Sequence, residues 1–366
     1  MEANFYMTKQ NFMIYGSYGY SGNLIAEYAR HQGLDPVLGG RNKEKLIEQA
    51  KRLGLKYQIF DTENLEVIKQ SIKEFVTVIH CAGPFIKTYQ NMARACIATN
   101  THYLDITGEY NVIENLSKMD EEAKAAKVML LPGAGFDVVP SDCLAQHLKN
   151  RLPDATQLIL AIHAIKNSKE SGSGISRGTA KTVVEGLAES PVVRDEGIIK
   201  TISSGSNKRI FYFGDDKAIT CMQISWGDLA SAWWSTRIPH IETYMSTPAN
   251  MIRIFKLINP IRAIFKWKPI KNFLLNKINK MPEGPSEHIR KTSIASIYGE
   301  VINASGKKIS SLLFTPSGYE LTALSSIHIV KKTLAGLAPI GFQTPSTAYT
   351  KDLILEIPGT RRMDVT

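Results

Sequence analysis

The chain lacks the residue patterns that build a covalent or metal framework. Its four cysteines, at 81, 96, 143 and 221, stand far apart and form no C-x-x-C pair. Neither a disulfide scaffold nor a zinc site is suggested, and a reducing, cytoplasmic setting is expected. The opening MEANFYMTKQNF has no long apolar core and no small-residue cleavage site, so no secretory leader is expected. The uncharged stretch 333–350 carries Gly336, Pro339, Gly341 and Pro345, which would break a membrane-spanning helix. Several catalytic signatures are missing as well: Tyr-x-x-x-Lys, H-E-x-x-H, and clustered Cys and His; a G-x-S-x-G run occurs at 174–178, but inside a stretch that reads as a loop rather than as a strand-to-helix elbow. Short-chain dehydrogenase, zinc and hydrolase chemistries are therefore disfavoured, and no metal is expected. Acidic residues are absent from one long stretch, 243–282, which holds eight Lys or Arg. Elsewhere 36 basic residues face 34 acidic ones, so the net charge of +10 is a local feature. A nucleic-acid protein would show a broader basic face with interleaved aromatics, so no nucleic-acid partner is expected.

What is present favours a nucleotide-binding α/β fold. The length of 366 residues, with 43% apolar content, suits about two domains. NFMIY (11–15) is a short run of strand formers. It leads into GSYGYSG (16–22), with glycine at every third position, and then into a helical pattern at 21–33 that stops at Gly33. Strand, glycine turn and helix are the context a dinucleotide-binding loop requires. Helix-start amides and the helix dipole both favour a pyrophosphate there. Further strands at 36–41, 56–60 and 75–83 alternate with helices at 42–54 and 63–72, as in a doubly wound parallel sheet. The cofactor candidates in the loop are Gly16, Tyr18, Gly19, Tyr20, Ser21 and Gly22. The second strand ends Gly39-Gly40-Arg41-Asn42, where an NAD-binding protein usually carries a carboxylate for the ribose. A guanidinium in that place suits a 2′-phosphate and hence NADP. Asp61, after the third strand, has two open roles: reaching the adenine edge or forming a turn.

Four stretches together resemble the saccharopine dehydrogenase-like oxidoreductases: GSYGYSG (16–22), HCAGPF (80–85), YLDITGE (103–109) and PGAGFDVVPSD (132–142). The similarity is greatest to the branch named trans-acting enoyl reductases or saccharopine dehydrogenase NADP-binding-domain proteins. RGTAKTVVEGL (177–187), GPSEHIR (284–290), TPSGYELTALSS (315–326) and GFQTPSTAY (341–349) fit the same branch. The resemblance implies an NADP-binding Rossmann domain, an inserted α+β domain with a mainly antiparallel sheet, and a homodimer. It does not imply a substrate. The expected division is 1–155 for the Rossmann domain, 156–319 for the substrate and dimerisation domain, and 320–366 for a segment returning to the first domain.

Ligands of a doubly wound sheet lie beyond the carboxyl ends of its strands. Ala82, Gly83 and Pro84 follow the fourth strand with little side chain, so their backbone is placed to line a cofactor. In the fifth strand, alternation puts Tyr103, Asp105 and Thr107 on one face. Asp105 either orders neighbouring backbone or serves the site. Asp137 lies in the glycine turn after the sixth strand and either meets substrate or stabilises the turn. Ser141 and Asp142 are placed to cap the next helix. Tyr103, Asp105 and Asp137 are the candidate proton donors. With nucleophilic and metal chemistry disfavoured, hydride transfer remains, in which the cofactor carries the difficult step. The leading expectation is an NADP-dependent reductase acting on a C=C or C=N bond of a hydrophobic or lipid-like small molecule. A saccharopine-type amino acid dehydrogenase is a second reading. It would need cationic side chains in the pocket, for which Arg177 and Arg194 are available. A non-catalytic NADP-binding sensor or scaffold is a third.

Beyond residue 155 the pattern changes to alternating strands with a hairpin signal, ASGKK, between 293–303 and 310–316. ESGSGISRG (170–178) reads as a loop. The basic stretch 249–280 is cut by Pro260 and Pro269 into three pieces, the third with Ile270, Phe273, Leu274 and Ile278 on one helical face. Two readings stay open: internal packing with solvated lysines, or peripheral contact with an anionic membrane.

Overall fold

The computed structural model describes residues 11–165, 175–202 and 207–365. The glycine- and serine-rich loop expected at 170–178 lies largely outside the described residues. Six strand–helix steps build the first domain. They begin with β1 (Asn11–Tyr15), α1 (Tyr20–His31), β2 (Val37–Gly40), α2 (Lys43–Leu53), β3 (Tyr57–Ile59), α3 (Leu65–Ile72) and β4 (Phe75–His80). They continue with α4 (Tyr89–Ala98), β5 (His102–Asp105), α5 (Tyr110–Ser117), α6 (Asp120–Ala125), β6 (Met129–Leu131) and α7 (Val139–Arg151). Local chemistry sets several boundaries. Asn42 caps α2 by accepting the Lys45 N–H at 2.8 Å, and Gly54 ends it in the left-handed region. Asn64 caps α3 in the same way. Ser141 and Asp142 do not cap α7, as their sequence position suggested. Both lie inside it, and the Ser141 hydroxyl bonds back to the Val138 carbonyl.

The second domain contains β7 (Ala155–Ile165), α8 (Arg177–Gly186), β8 (Val192–Asp195), β9 (Ile198–Thr201), β10 (Lys208–Phe211) and β11 (Ile219–Ile224). After α9 (Asp228–Thr236) and β12 (His240–Ser246) comes the basic stretch, as α10 (Ala249–Ile258), a 3-10 segment (Asn259–Lys266) and α11 (Lys268–Asn279). Then follow α12 (Glu287–Thr292) and the hairpin of β13 (Ile294–Asn303) and β14 (Lys308–Pro316). The chain closes with α13 (Gly318–Leu334), β15 (Gly341–Phe342), α14 (Pro345–Tyr349) and β16 (Arg361–Asp364).

The first sheet is parallel, in the order β15-β6-β5-β4-β1-β2-β3. Chain order reverses between β1 and β4, where Tyr15 lies between Gly39 of β2 and His80 of β4. That reversal opens a crevice at the carboxyl ends. The second sheet runs β10-β11-β12-β7-β13-β14-β16, with β8 and β9 attached to β12. It is antiparallel apart from the β12–β7 pair. Leu158, Leu160 and Ile162 of β7 join a core continuous with Ile14 of β1 and Leu144 of α7. The opposite face is not left polar, as simple alternation suggests. Ile159 and Ala161 pack there with Phe211, Phe213 and Tyr244.

The basic stretch divides its apolar residues between two faces. Leu274, Leu275 and Ile278 of α11 pack inward on Ala180 and Val184 of α8. Phe273 points outward, beneath the Lys277 ammonium at 4.8 Å. The single face expected for Ile270, Phe273, Leu274 and Ile278 is therefore split by packing on α8.

Candidate active site

The glycine loop sits at the switch point, and its three glycines have different physical reasons. Gly16 has φ +79°, and a Cβ there would lie 2.8 Å from the Ala82 nitrogen. Gly22 brings α1 onto the turn, because a Cβ would lie 2.4 Å from the Gly16 oxygen and 2.9 Å from Ser17 Cα. Gly19 is different. It precedes α1 with φ −70° and ψ 161°, an ordinary conformation, and a Cβ would touch only the Gly16 oxygen, at 3.2 Å. Open space beside a helix start is the feature a pyrophosphate requires. No side chain caps α1 and its first turn holds no acid, so the N–H groups of Tyr20, Ser21 and Gly22 keep a positive potential. The loop is held from below by Gln49 of α2. Its amide donates to the Ser17 carbonyl at 2.8 Å and accepts from the Ser17 hydroxyl at 2.8 Å.

The adenosine end also fits a phosphorylated ribose. Arg41 is exposed just beyond β2 and makes no ion pair among the described residues. The Tyr18 ring abuts Gly40, where a Cβ would stand 2.5 Å from it, and its hydroxyl accepts the Asn42 N–H at 3.3 Å. Asp61 accepts the Glu63 N–H at 2.9 Å, a turn bond that does not require a ligand. Across the crevice, the Ala82–Pro84 turn is fixed from two sides. Glu109 accepts the N–H groups of Phe85 and Ile86 at 2.8 and 2.9 Å. Thr88 donates to the Ala82 carbonyl at 2.7 Å, which leaves its oxygen to accept from His80 Nε2 at 2.8 Å. His80 is buried, with its Nδ1 unpartnered, and burial pushes its pKa down to about 3. The ring is therefore neutral. Sequence reasoning passed over His80 and Glu109, although both lie inside the motifs it singled out.

The three candidate proton donors separate clearly. Tyr103 and Asp105 are fully buried, with the Tyr103 hydroxyl donating to Asp105 at 2.7 Å. Asp105 also accepts the Thr107 and Gly133 N–H groups at 2.9 and 2.8 Å. That arrangement ties β5 to the turn after β6 and presents neither side chain to the crevice. Burial pushes Asp105 up to about 6, against the lowering effect of those bonds. Asp137 remains partly exposed, and its carboxyl bonds to none of the described residues. It lies against the Gly108 backbone, where a Cβ would meet Oδ2 at 2.7 Å. Burial alone pushes Asp137 up to about 6. Trp226 Nε1 donates to the Asp137 carbonyl at 2.6 Å, and Phe136 N–H donates to Thr322 at 3.0 Å. The hydroxyls of Ser325 and Ser326 both reach the Ala134 carbonyl. The turn carrying Asp137 is thus stitched to α13 by residues of the 315–326 motif.

Three distant motifs converge above the start of α1. Tyr20 donates to the Pro285 carbonyl at 2.6 Å and meets Tyr319 edge-on at 5.0 Å. Gly284 accommodates the Tyr20 ring, 2.5 Å from where a Cβ would be. The Tyr319 hydroxyl accepts the Ser176 N–H at 2.6 Å, and Arg177 N–H donates to the Glu283 carbonyl at 3.0 Å. Nothing in the spacing of 177–187, 284–290 and 315–326 announces this contact. The cleft is thereby roofed by the second domain and by α13. Arg194, a candidate for binding an acidic substrate, does not face it. It is buried, with its guanidinium bonded to the Leu229 and Gly197 carbonyls and to Glu114.

Residues 12–131 match the family model of the saccharopine dehydrogenase NADP binding domain. The match makes NADP(H) the cofactor of this domain and places it among dehydrogenase and oxidoreductase relatives. The human saccharopine dehydrogenase-like oxidoreductase is 25% identical over 207 residues, 50% of this chain and 47% of that protein. A lipid droplet localized protein of Caenorhabditis elegans is 26% identical over 204 residues, covering 50% and 46%. A putative trans-acting enoyl reductase of Mycobacterium tuberculosis is 26% identical over 188 residues, covering 49% and 44%. The matches span about half the length of these curated relatives. The saccharopine dehydrogenase (L-Glu forming) of Saccharomyces cerevisiae superposes with a TM-score of 0.68 at 12% identity, covering 98% of this chain and 100% of that one. That likeness shows a shared fold.

Proposed function

We propose that this chain, with its saccharopine dehydrogenase-type NADP binding domain, is an NADP-dependent oxidoreductase that reduces a C=C or C=N bond of a hydrophobic, lipid-like substrate. One observation carries the reading. A single sheet edge holds both an open helix N-terminus and a partly exposed acid, Asp137, whose carboxyl no described residue binds. NADPH, when bound, supplies the hydride. The chain's own work is to seat the pyrophosphate on α1, set Arg41 beside the 2′-phosphate and offer the Asp137 proton to the neighbouring atom of the double bond. A carboxyl at about 6 retains a protonated fraction near neutral pH, which suits a general acid. The carboxylate left behind recovers its proton from solvent.

The apolar substrate is favoured by where the arginines point. Arg177 pairs with Glu283, Arg290 with Glu320, and Arg194 is buried against Glu114. A dicarboxylic amino acid would find each of these already engaged, which weakens the saccharopine-type reading. The names of two relatives, an enoyl reductase and a lipid droplet localized protein, suit a lipid-like substrate. Purified protein should consume NADPH with a long-chain 2-enoyl thioester or a hydrophobic imine. Turnover with an amino-acid substrate alone would refute the substrate class. Tight NADPH binding with no turnover on any of these would favour a cofactor-sensing protein.

A further inference from the structure

We propose that α10 and the 3-10 segment, with the start of α11, form a docking surface for an anionic phospholipid membrane. The inference goes beyond the proposed reaction and stands without it. Met251, Ile254 and Leu257 recur every third residue along α10 and are exposed. Such spacing keeps them within one arc of the helix. Ile261, Ile264 and Trp267 continue the series through the 3-10 segment, in which residues three apart eclipse one another. Leu257 is 75% exposed, Trp267 63% and Ile261 56%. These are not loosely packed core residues, because the inward positions are filled. Ile252 is buried, and Leu274, Leu275 and Ile278 occupy the contact with α8. The outward row is what remains when the internal packing is complete.

Charge identifies the occupant. Arg253, Lys266 and Lys268 flank the row and form no ion pair among the described residues. With no acidic residue between 243 and 282, the stretch that forms the patch carries only apolar, neutral polar and cationic side chains. A symmetric contact with a second copy would press these cations against their own equivalents. An anionic lipid surface satisfies both properties at once, with side chains entering the headgroup boundary and ammonium groups meeting the phosphates. No described helix is long and apolar enough to cross a membrane. The patch is also joined to the cofactor crevice. Glu185 of α8 binds both Lys271 of α11 and, at 2.7 Å, Lys87 beside the Ala82–Pro84 turn.

The test is flotation of the whole protein with phosphatidylcholine vesicles, with and without phosphatidylserine. The wild type should float with the anionic vesicles at low salt and be released by high salt. The emission of Trp267, isolated by comparison with Trp267→Phe, should shift to the blue on binding. Each basic residue near an anionic surface contributes about 1 kcal/mol, or about fivefold. Lys266→Glu with Lys268→Glu should therefore weaken binding by at least about 25-fold. Leu257→Asp with Ile261→Asp should abolish insertion while leaving NADPH affinity and circular dichroism unchanged. Absence of binding to anionic vesicles, or binding insensitive to both variants, would overturn the proposal. So would a dimer that Leu257→Asp dissociates in a protein that floats with neither vesicle. NADPH affinity is read in every arm, so failure of the docking surface is distinct from failure of the proposed reaction.

Discussion

Alanine at Gly22 and alanine at Gly19 should have opposite consequences. At Gly22 the added methyl would meet the Gly16 oxygen at 2.4 Å and Ser17 Cα at 2.9 Å. Both are backbone atoms of a turn that Gln49 holds rigid, so no side chain can rotate aside. Overpacking of this kind costs about 1–3 kcal/mol. At roughly 1.3 °C per kcal/mol for a chain of this size, the melting temperature should fall by about 1–4 °C. At Gly19 the methyl meets one atom at 3.2 Å, in a backbone conformation open to any residue. Folding should change by roughly 0.5 kcal/mol or less. The cofactor should suffer instead, because the methyl would stand in the open space beside α1 that we propose for the pyrophosphate. A clash of about 1–3 kcal/mol in the bound state is about a 5- to 150-fold loss of affinity. Thermal melting and fluorescence titration with NADPH, run on both variants, separate the two effects. Unchanged NADPH affinity in Gly19→Ala, or a wild-type melting temperature in Gly22→Ala, would refute this division of roles.

Asp137→Asn should lower turnover by about 10²- to 10⁴-fold while leaving NADPH affinity intact, measured by steady-state kinetics beside titration. In the wild type, turnover should fall as pH rises through about 6, because the acid form of Asp137 is lost; a flat profile would remove it as the proton donor. Asp228 is fully buried at the start of α9, and burial raises its pKa well above the ordinary range, against the lowering effect of the nearby Ser141 hydroxyl. Its contribution to stability is therefore fully present below its unfolded pKa, near 4, and is lost as pH rises through the folded value. Asp228→Asn removes that dependence, so its melting temperature should gain on the wild type as pH is raised; equal slopes against pH would contradict the burial argument.

Much of the first domain was legible because its signals are local. A glycine turn between strand and helix, the alternation of elements and the Gly-Gly-Arg end of β2 each act over a few residues. The turn pair Asp105 and Gly133 was half legible: the buried acid in β5 stood out, but one of its two partner N–H groups, that of Gly133, comes from the loop after β6. The roof of the cleft was not legible. Tyr20, Pro285, Tyr319 and Ser176 meet only because α13 returns to pack on the first domain and the second sheet carries residues 284 and 285 above α1. Arg194 looked available for an acidic substrate because nothing near it in sequence shows that Glu114 and two backbone carbonyls surround it. The basic stretch misled in a smaller way. Helical periodicity groups Phe273 with Leu274 and Ile278, whereas packing on α8 claims only the latter two.

The most direct test of the account is a titration of wild-type protein and Arg41→Ala with NADPH and with NADH. Arg41 is exposed, unpaired among the described residues and free of a competing carboxylate at the end of β2. A charged hydrogen bond from Arg41 to a 2′-phosphate, as proposed above, would be worth about 1.5–3 kcal/mol, or about 10- to 150-fold. The wild type should prefer NADPH by that factor, and Arg41→Ala should lose the preference while keeping its affinity for NADH. Equal affinity of the wild type for the two cofactors, or a preference that survives Arg41→Ala, would contradict it.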